Sequence, residues 1–194
     1  MSQQLLTEYY PLSIDSLNEA VDAGDGRIRL KGLFQQANVR NGNGRVYSRH
    51  ILEREVGRLQ ESIQKRQILG ELEHPTEAKI DLNRVATVIT ELKMEGDKVF
   101  GILEVLDTQP GFTLKALVEA KCAIGISSRG LGTVSNINGV NQVQDDYRML
   151  TFDCVQSPST PGSWITESME LQNSKHNLFG AFQKGKDEAL WKMQ

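Results

Sequence analysis

Cysteine is scarce in this chain: Cys122 and Cys154 are the two among 194 residues. Two thiols cannot build the dense disulfide scaffold of a small secreted domain, so reduced thiols inside a cell are expected. No apolar run approaches the roughly 20 residues that cross a bilayer. The opening Met1-Ser2-Gln3-Gln4 lacks the basic start and apolar core of a secretory signal, and no membrane partner is expected. An excess of positive charge is also missing. Lys and Arg number 22 against 25 Asp and Glu, a net charge of −3 with a pI near 5.7. That balance argues against direct binding of nucleic acid. Internal repeats and low-complexity stretches are absent. What remains is a globular composition, 39% hydrophobic and 24% charged. The length suits one domain with short tails and is too small for two domains and a linker.

Residues 1–26 carry few apolar residues in any period and end in Ala23-Gly24-Asp25-Gly26, which reads as a loosely packed arm. Alternation of Ile28, Leu30, Gly32 and Phe34 predicts a strand. Asn41-Gly42-Asn43-Gly44 marks a loop, and Ser48 can cap the helix predicted after it. In that helix Leu52, Val56, Leu59 and Ile63 form an apolar stripe. Strands are predicted over Val85 to Leu92 and Val99 to Leu106, with Glu95-Gly96-Asp97-Lys98 turning between them. Thr108-Gln109-Pro110-Gly111 reads as a break before a helix through Ala120. Cys122 to Ser127 reads as a short buried strand with Cys122 packed in it, and Asn138-Gly139 as a hairpin turn. Tyr147 to Val155 is a further strand, and a short helix is expected around Lys186 to Met193. Many mostly antiparallel strands with two principal helices predict a closed or strongly curved sheet flanked by helices.

Three places carry candidate chemistry. Of the three histidines, His50 starts the amphipathic helix and His176 lies in the tail. His74 sits in Leu69-Gly70-Glu71-Leu72-Glu73-His74-Pro75, where the following proline restricts how the ring is presented. Gly125-Ile126-Ser127-Ser128-Arg129-Gly130-Leu131-Gly132 reads as a glycine-rich loop closing a buried strand. Such a loop either is a structural turn with a surface arginine or presents a serine hydroxyl beside free amide donors, as a serine nucleophile requires. It is neither a Gly-x-Ser-x-Gly elbow nor a phosphate-binding loop. Asp153 lies in the apolar run Leu150-Thr151-Phe152-Asp153-Cys154-Val155. A buried acid needs a partner. It caps a loop, meets an arginine, or orients a histidine as the acid of a triad does.

Taken together these residues resemble the prohead core protein proteases of T4-type tailed bacteriophages. The resemblance rests on Gly32-Leu33-Phe34-Gln35-Gln36-Ala37 and on Asn43-Gly44-Arg45-Val46-Tyr47 leading into Ile51-Leu52-Glu53. It continues in Leu69 to Pro75, Ile126 to Gly132, and Asp153-Cys154-Val155 before Pro158-Ser159. These pieces stand in the family's order over residues 27 to 168. The resemblance implies an α+β fold of the herpesvirus-assemblin type, a mostly antiparallel closed β-barrel flanked by helices. It implies a serine endopeptidase with His74 as base and Ser127 as nucleophile. Ser128 is the alternative serine. Asp153 is the third member and Asp81 the second choice for that role. Backbone amides near Arg129 and Gly130, in the loop that also holds Ser128, would form the oxyanion site, and no metal or organic cofactor is implied.

The resemblance further implies work in the prohead interior of an infected cell, on scaffold core and capsid proteins, by a chain expected to self-associate. Cleavage is expected after Glu in Leu/Ile-x-Glu sequences. Ile165-Thr166-Glu167-Ser168 fits, so self-processing is expected between Glu167 and Ser168. The organisation expected is an arm over 1–26, a protease domain over 27–167 and a removable tail over 168–194. Leu6-Thr7-Glu8 is a second, weaker match, and the arm or tail could occupy the site in a latent form. Three rivals stand beside this reading. One is a scaffold or capsid-interior protein with the same fold and no activity. Another is a metal-dependent hydrolase using His74 with Glu71 and Glu77. The last is a small-molecule binding barrel with a large apolar pocket.

Overall fold

The computed structural model describes residues 2–11, 27–73, 75–122 and 124–156. The amphipathic helix forms where its stripe predicts it. Helix α1 (Arg49–Gln64) is capped by Ser48, whose hydroxyl accepts the Ile51 amide at 3.3 Å, and Leu52, Val56, Leu59 and Ile63 are all buried. Each such side chain contributes about 1.5–3 kcal/mol through burial. Helix α2 (Gln109–Glu119) corrects one expectation. Thr108 to Gly111 is not a break but the helix start: Thr108 is the N-cap, accepting the Gly111 amide at 3.1 Å, and Pro110 lies in the first turn. Proline fits there because a first-turn amide has no intrahelical partner to lose.

Ten strands complete the described structure. They are β1 (Gln4–Pro11), β2 (Arg29–Gln36), β3 (Arg45–Val46), β4 (Leu69–Glu71) and β5 (Val85–Glu95), then β6 (Lys98–Val105), β7 (Gly125–Gly132), β8 (Val134–Ile137), β9 (Val140–Val143) and β10 (Arg148–Val155). All pair antiparallel except β3 with β9, and a single parallel bridge joins Leu72 to Cys154. The expected turns hold. β5 and β6 meet across Gly96 and Asp97, and the β8–β9 hairpin turns on Asn138 (φ 53°) and Gly139 (φ 80°). Two consecutive positive φ angles are what a tight type I′ turn demands.

The α+β composition is present, but the closed barrel is not. Among the described residues the strands fall into three sheets, ordered β1-β7-β10, β2-β6-β5-β4 and β3-β9-β8. The reason lies at the seam between β4 and β10. There side chains of β10 take the backbone groups of β4. The Thr151 hydroxyl donates to the Leu69 carbonyl at 2.6 Å, and the Glu71 amide donates to Asp153 Oδ1 at 3.0 Å. Groups satisfied by side chains are lost to a ladder, and only the Leu72–Cys154 bridge remains. At the other seam β1 packs on β2 without a ladder. The core lies between the β1-β7-β10 and β2-β6-β5-β4 sheets, where Phe34 of β2 meets Phe152 of β10 at 4.9 Å between ring centroids.

Two further expectations change. Gln4–Pro11, read as part of a loose arm, is β1 and pairs with all eight residues of β7. Its sequence hid this because Leu5-Leu6 and Tyr9-Tyr10 are adjacent pairs without alternation, and because the residue sharing the buried face with Leu6 is an acid, Glu8. The second concerns the chain after α2. Cys122 is exposed in the turn there, its amide donating to the Leu117 carbonyl at 2.9 Å. The strand begins only at Gly125 and runs on to Gly132, through the whole stretch read as a loop.

Candidate active site

β7 is the central strand of its sheet, with β1 on one side and β10 on the other. Side chains alternate along a strand, so Ser127 and Arg129 share one face while Ser128, Gly130 and Gly132 share the other. The second face is core. A Cβ on Gly130 would collide with the Tyr147 ring, and Ser128 lies opposite Phe152 and Glu8 across its two ladders. The glycines of this motif therefore make room for an aromatic ring rather than a turn. Burial, with the charges of Glu8 and Glu55, pushes the Tyr147 phenol well up, while Ser128 and Gln35 beside it pull the other way.

On the first face Ser127 stands directly across from Asp153 in the β7–β10 register. Ser127, Arg129 and Asp153 are fully buried, and Ser127 Oγ has no hydrogen-bond partner among the described residues. Arg129 donates to Asp153 Oδ1 at 3.0 Å, to Glu71 Oε1 at 3.3 Å and to the Glu77 carbonyl at 3.1 Å. Of the readings left open for Asp153, the arginine partner is therefore realised. Arg129 is no surface residue: it is the largest of the fully buried side chains. A guanidinium fits this place because its fork reaches several acceptors at once.

His74 lies outside the described residues, but the chain on both sides of it is fixed close to this face. The Glu73 amide donates to the Cys154 carbonyl at 2.8 Å, one residue beyond Asp153. Arg84 donates to the carbonyls of Leu72 at 3.1 Å and Glu73 at 3.3 Å. The topology thus brings the segments carrying all three candidates to one end of β10, although they are dozens of residues apart in sequence. Asp81 is placed otherwise. It is exposed and caps a turn, accepting from the Asn83 amide at 3.0 Å. Glu167 and Ser168, and the helix expected around Lys186 to Met193, lie outside the described residues, as does His176. His50 is exposed on α1.

The residues given to the oxyanion, Ser128, Arg129 and Gly130, sit inside β7 with ladders on both sides, not in an open loop. Glu71, offered to a metal in one rival reading, uses both carboxylate oxygens on protein donors. Oε1 accepts the Asp81 amide at 2.8 Å as well as Arg129, and Oε2 accepts Arg84 Nε at 3.3 Å. Glu77 contributes its carbonyl. Sequence reasoning saw Glu71 but missed its part in this network, and the only signal was an acid between apolar neighbours in Leu69-Gly70-Glu71-Leu72. Arg84 gave no signal at all.

A sequence profile described as "Prohead core protein serine protease" matches residues 11–176. The chain belongs to the prohead core protein serine protease family. It is 33% identical over 175 residues to the "Prohead core protein protease" of Enterobacteria phage T4, covering 84% of this chain and 82% of that protein. Among solved structures it is similar to the bacteriophage T4 capsid assembly protease, gp21. That match has a TM-score of 0.73 and 29% identity, over 81% of this chain and all of the other. As a prohead core protease the chain is a peptidase, and its family work is phage capsid maturation. The profile begins at residue 11, whereas the structure places β1 before that point in the same sheet as the candidate nucleophile.

Proposed function

We propose that this chain is a serine endopeptidase in which His74 takes the Ser127 proton, Ser127 attacks the peptide carbonyl, and Asp153 holds the imidazole in the useful tautomer. The observation that carries this reading is the cross-strand pairing of Ser127 with Asp153, on the face opposite the core, with residues 72 and 73 fastened beside Cys154. Ser128 points to the wrong side of β7 for that arrangement. Amides near Arg129 and Gly130 supply the oxyanion donors. They are flanked by β1 and β10, so a ladder neighbour has to yield before they can do so. Ser127 is likewise covered in the closed conformation described, and substrate enters as the covering segments part.

The substrates are scaffold core and capsid proteins inside the prohead, cut after Glu in Leu/Ile-x-Glu sequences. The chain cuts itself between Glu167 and Ser168, releasing 168–194 from the domain ending at 167. The Leu6-Thr7-Glu8 match is different. It lies in β1 with Glu8 fully buried, so cleavage there requires β1 to leave the sheet. The binding-barrel rival gains little. The surface pocket beside Arg27, Arg66, Glu104 and Lys115 is polar and includes no candidate site residue.

The test is a peptide containing Ile-Thr-Glu-Ser incubated with wild type and with Ser127→Ala, read by mass spectrometry. Cleavage after Glu by wild type alone supports the reading. Equal cleavage by both overturns it. An active wild type that never loses residues 168–194 overturns the self-processing site.

A further inference from the structure

Glu71 is fully buried, two residues beyond Leu69 where the β4 edge meets β10, and three of its four polar contacts bear on the chain that flanks position 74. Through Oε2 it pairs with Arg84, whose Nη2 holds the Leu72 and Glu73 carbonyls on the N-terminal side of 74. Through Oε1 it pairs with Arg129, whose Nη1 holds the Glu77 carbonyl on the C-terminal side. The same oxygen accepts the Asp81 amide, fixing the far part of the segment. Its own amide donates to Asp153 Oδ1, the oxygen that Arg129 also reaches.

A buried carboxylate flanked by two guanidinium groups is stable only while those partners stay. Removing its charge would loosen both arginines together, and with them the carbonyls they hold. We propose that Glu71 is a positioning residue for the peptidase reaction: through Arg84 and Arg129 it fixes the backbone on both sides of His74, and through its amide it fixes the carboxylate of Asp153. The inference rests on the serine-protease reading above. It differs in kind from the metal role, since Glu71 here touches neither substrate nor ion. Misplacing a catalytic base by about 1 Å costs on the order of 100-fold in rate.

The experiment uses the full chain as wild type, Glu71→Gln, Arg84→Lys and Ser127→Ala. Turnover of the Ile-Thr-Glu-Ser peptide is expressed per folded chain, taken from the amplitude of cooperative unfolding, so that a smaller folded fraction does not count as a slower enzyme. Amide hydrogen exchange is followed over residues 75–84. The expected result for Glu71→Gln is a fall in kcat of about 10- to 100-fold with KM within about threefold. Exchange over 75–84 should quicken while β5 and β6 keep their protection. Should Glu71→Gln not fold, Arg84→Lys decides, because Arg84 is 40% exposed and its loss burdens the core less. Wild-type turnover in both folded variants, or lost turnover with unchanged exchange over 75–84, overturns the proposal. If Ser127→Ala cleaves as fast as wild type, the serine reading itself falls and takes this role with it. If only the Glu71 and Arg84 variants keep wild-type rates, Glu71 alone is ruled out.

Discussion

The two faces of β7 carry similar residue types and use them differently. On the core face an acid from β1, Glu8, is gripped by neutral and charged donors at once. Arg45 reaches it at 2.7 Å, Tyr47 at 2.8 Å and Asn43 at 2.8 Å. Burial first, and then the charges nearby, push the Tyr47 phenol well up, which favours its protonated form as the donor to Glu8. The Glu8 carboxylate is thus fully partnered, although Ser128 Oγ and Tyr147 Oη on the same face have no hydrogen-bond partner among the described residues. On the opposite face Glu71 and Asp153 share Arg129, and beside them stands a serine hydroxyl with no partner among the described residues. A satisfied network holds a fold together. Each face holds an unpartnered serine, so what separates them is the charged cluster. Ser127 stands across from Asp153 beside Arg129 and Glu71, whereas Ser128 lies opposite Phe152 and Glu8. Charged clusters beside a nucleophile type gather at functional sites.

The sharpest way to separate the faces is to compare the two adjacent serines. Ser127→Ala should lower peptide cleavage by a factor of about 10³ or more, the scale seen when a nucleophile is removed, while Ser128→Ala should cost far less. Rates of both variants against wild type check this, and a larger loss at Ser128 would reverse the assignment of faces. Next in size is Gly130→Ala. Its methyl group would overlap the Tyr147 ring, and overpacking of this kind costs about 1–3 kcal/mol. Denaturant midpoints should show that loss, and much less of it in a Tyr147→Leu background.

Glu8→Gln probes the core-face cluster. It should cost about 1–2 kcal/mol of stability through weakened charged hydrogen bonds. It should leave turnover per folded chain unchanged, which distinguishes it from Glu71→Gln. The smallest effect concerns a further acid, Glu55 of α1, which ties the helix to the bulge of β10. Burial raises its pKa, but bonds from Arg58, the Met149 amide and Arg54 outweigh that, and its carboxyl sits below the usual range. A depressed folded pKa stabilises above the unfolded value and is lost as pH falls through the folded one. The stability gap between wild type and Glu55→Gln should therefore be full at neutral pH and shrink below about pH 4.5. Chemical denaturation across that range tests it, and a gap that widens on acidification would contradict the assignment.

Much of the local structure was legible. Helix α1 declared itself through its stripe and Ser48 cap, and the β5–β6 and β8–β9 hairpins through their turn residues, because each depends on neighbours a few positions away. The segments carrying the candidate site were legible as motifs, and the family they point to is the one the chain belongs to. Three features were not. β1 was missed because Glu8 replaced an apolar residue on its buried face. The stretch around Ser127 read as a loop because Gly130 and Gly132 look like turn residues until Tyr147 is seen to need their space. The barrel was expected closed because strand counting cannot see Thr151 and Asp153 intercepting the β4 edge.

By itself the sequence determined which residues could do chemistry and where helices and hairpins begin, since capping, periodicity and turn geometry act over at most a few residues. Only the tertiary structure decided which serine faces Asp153. It also revealed that Arg129 is buried between two acids, and that Glu71 reaches across 58 residues to Arg129 and 82 to Asp153. Those choices follow from strand register and from the need of every buried charge for a partner, and neither is carried by local spacing.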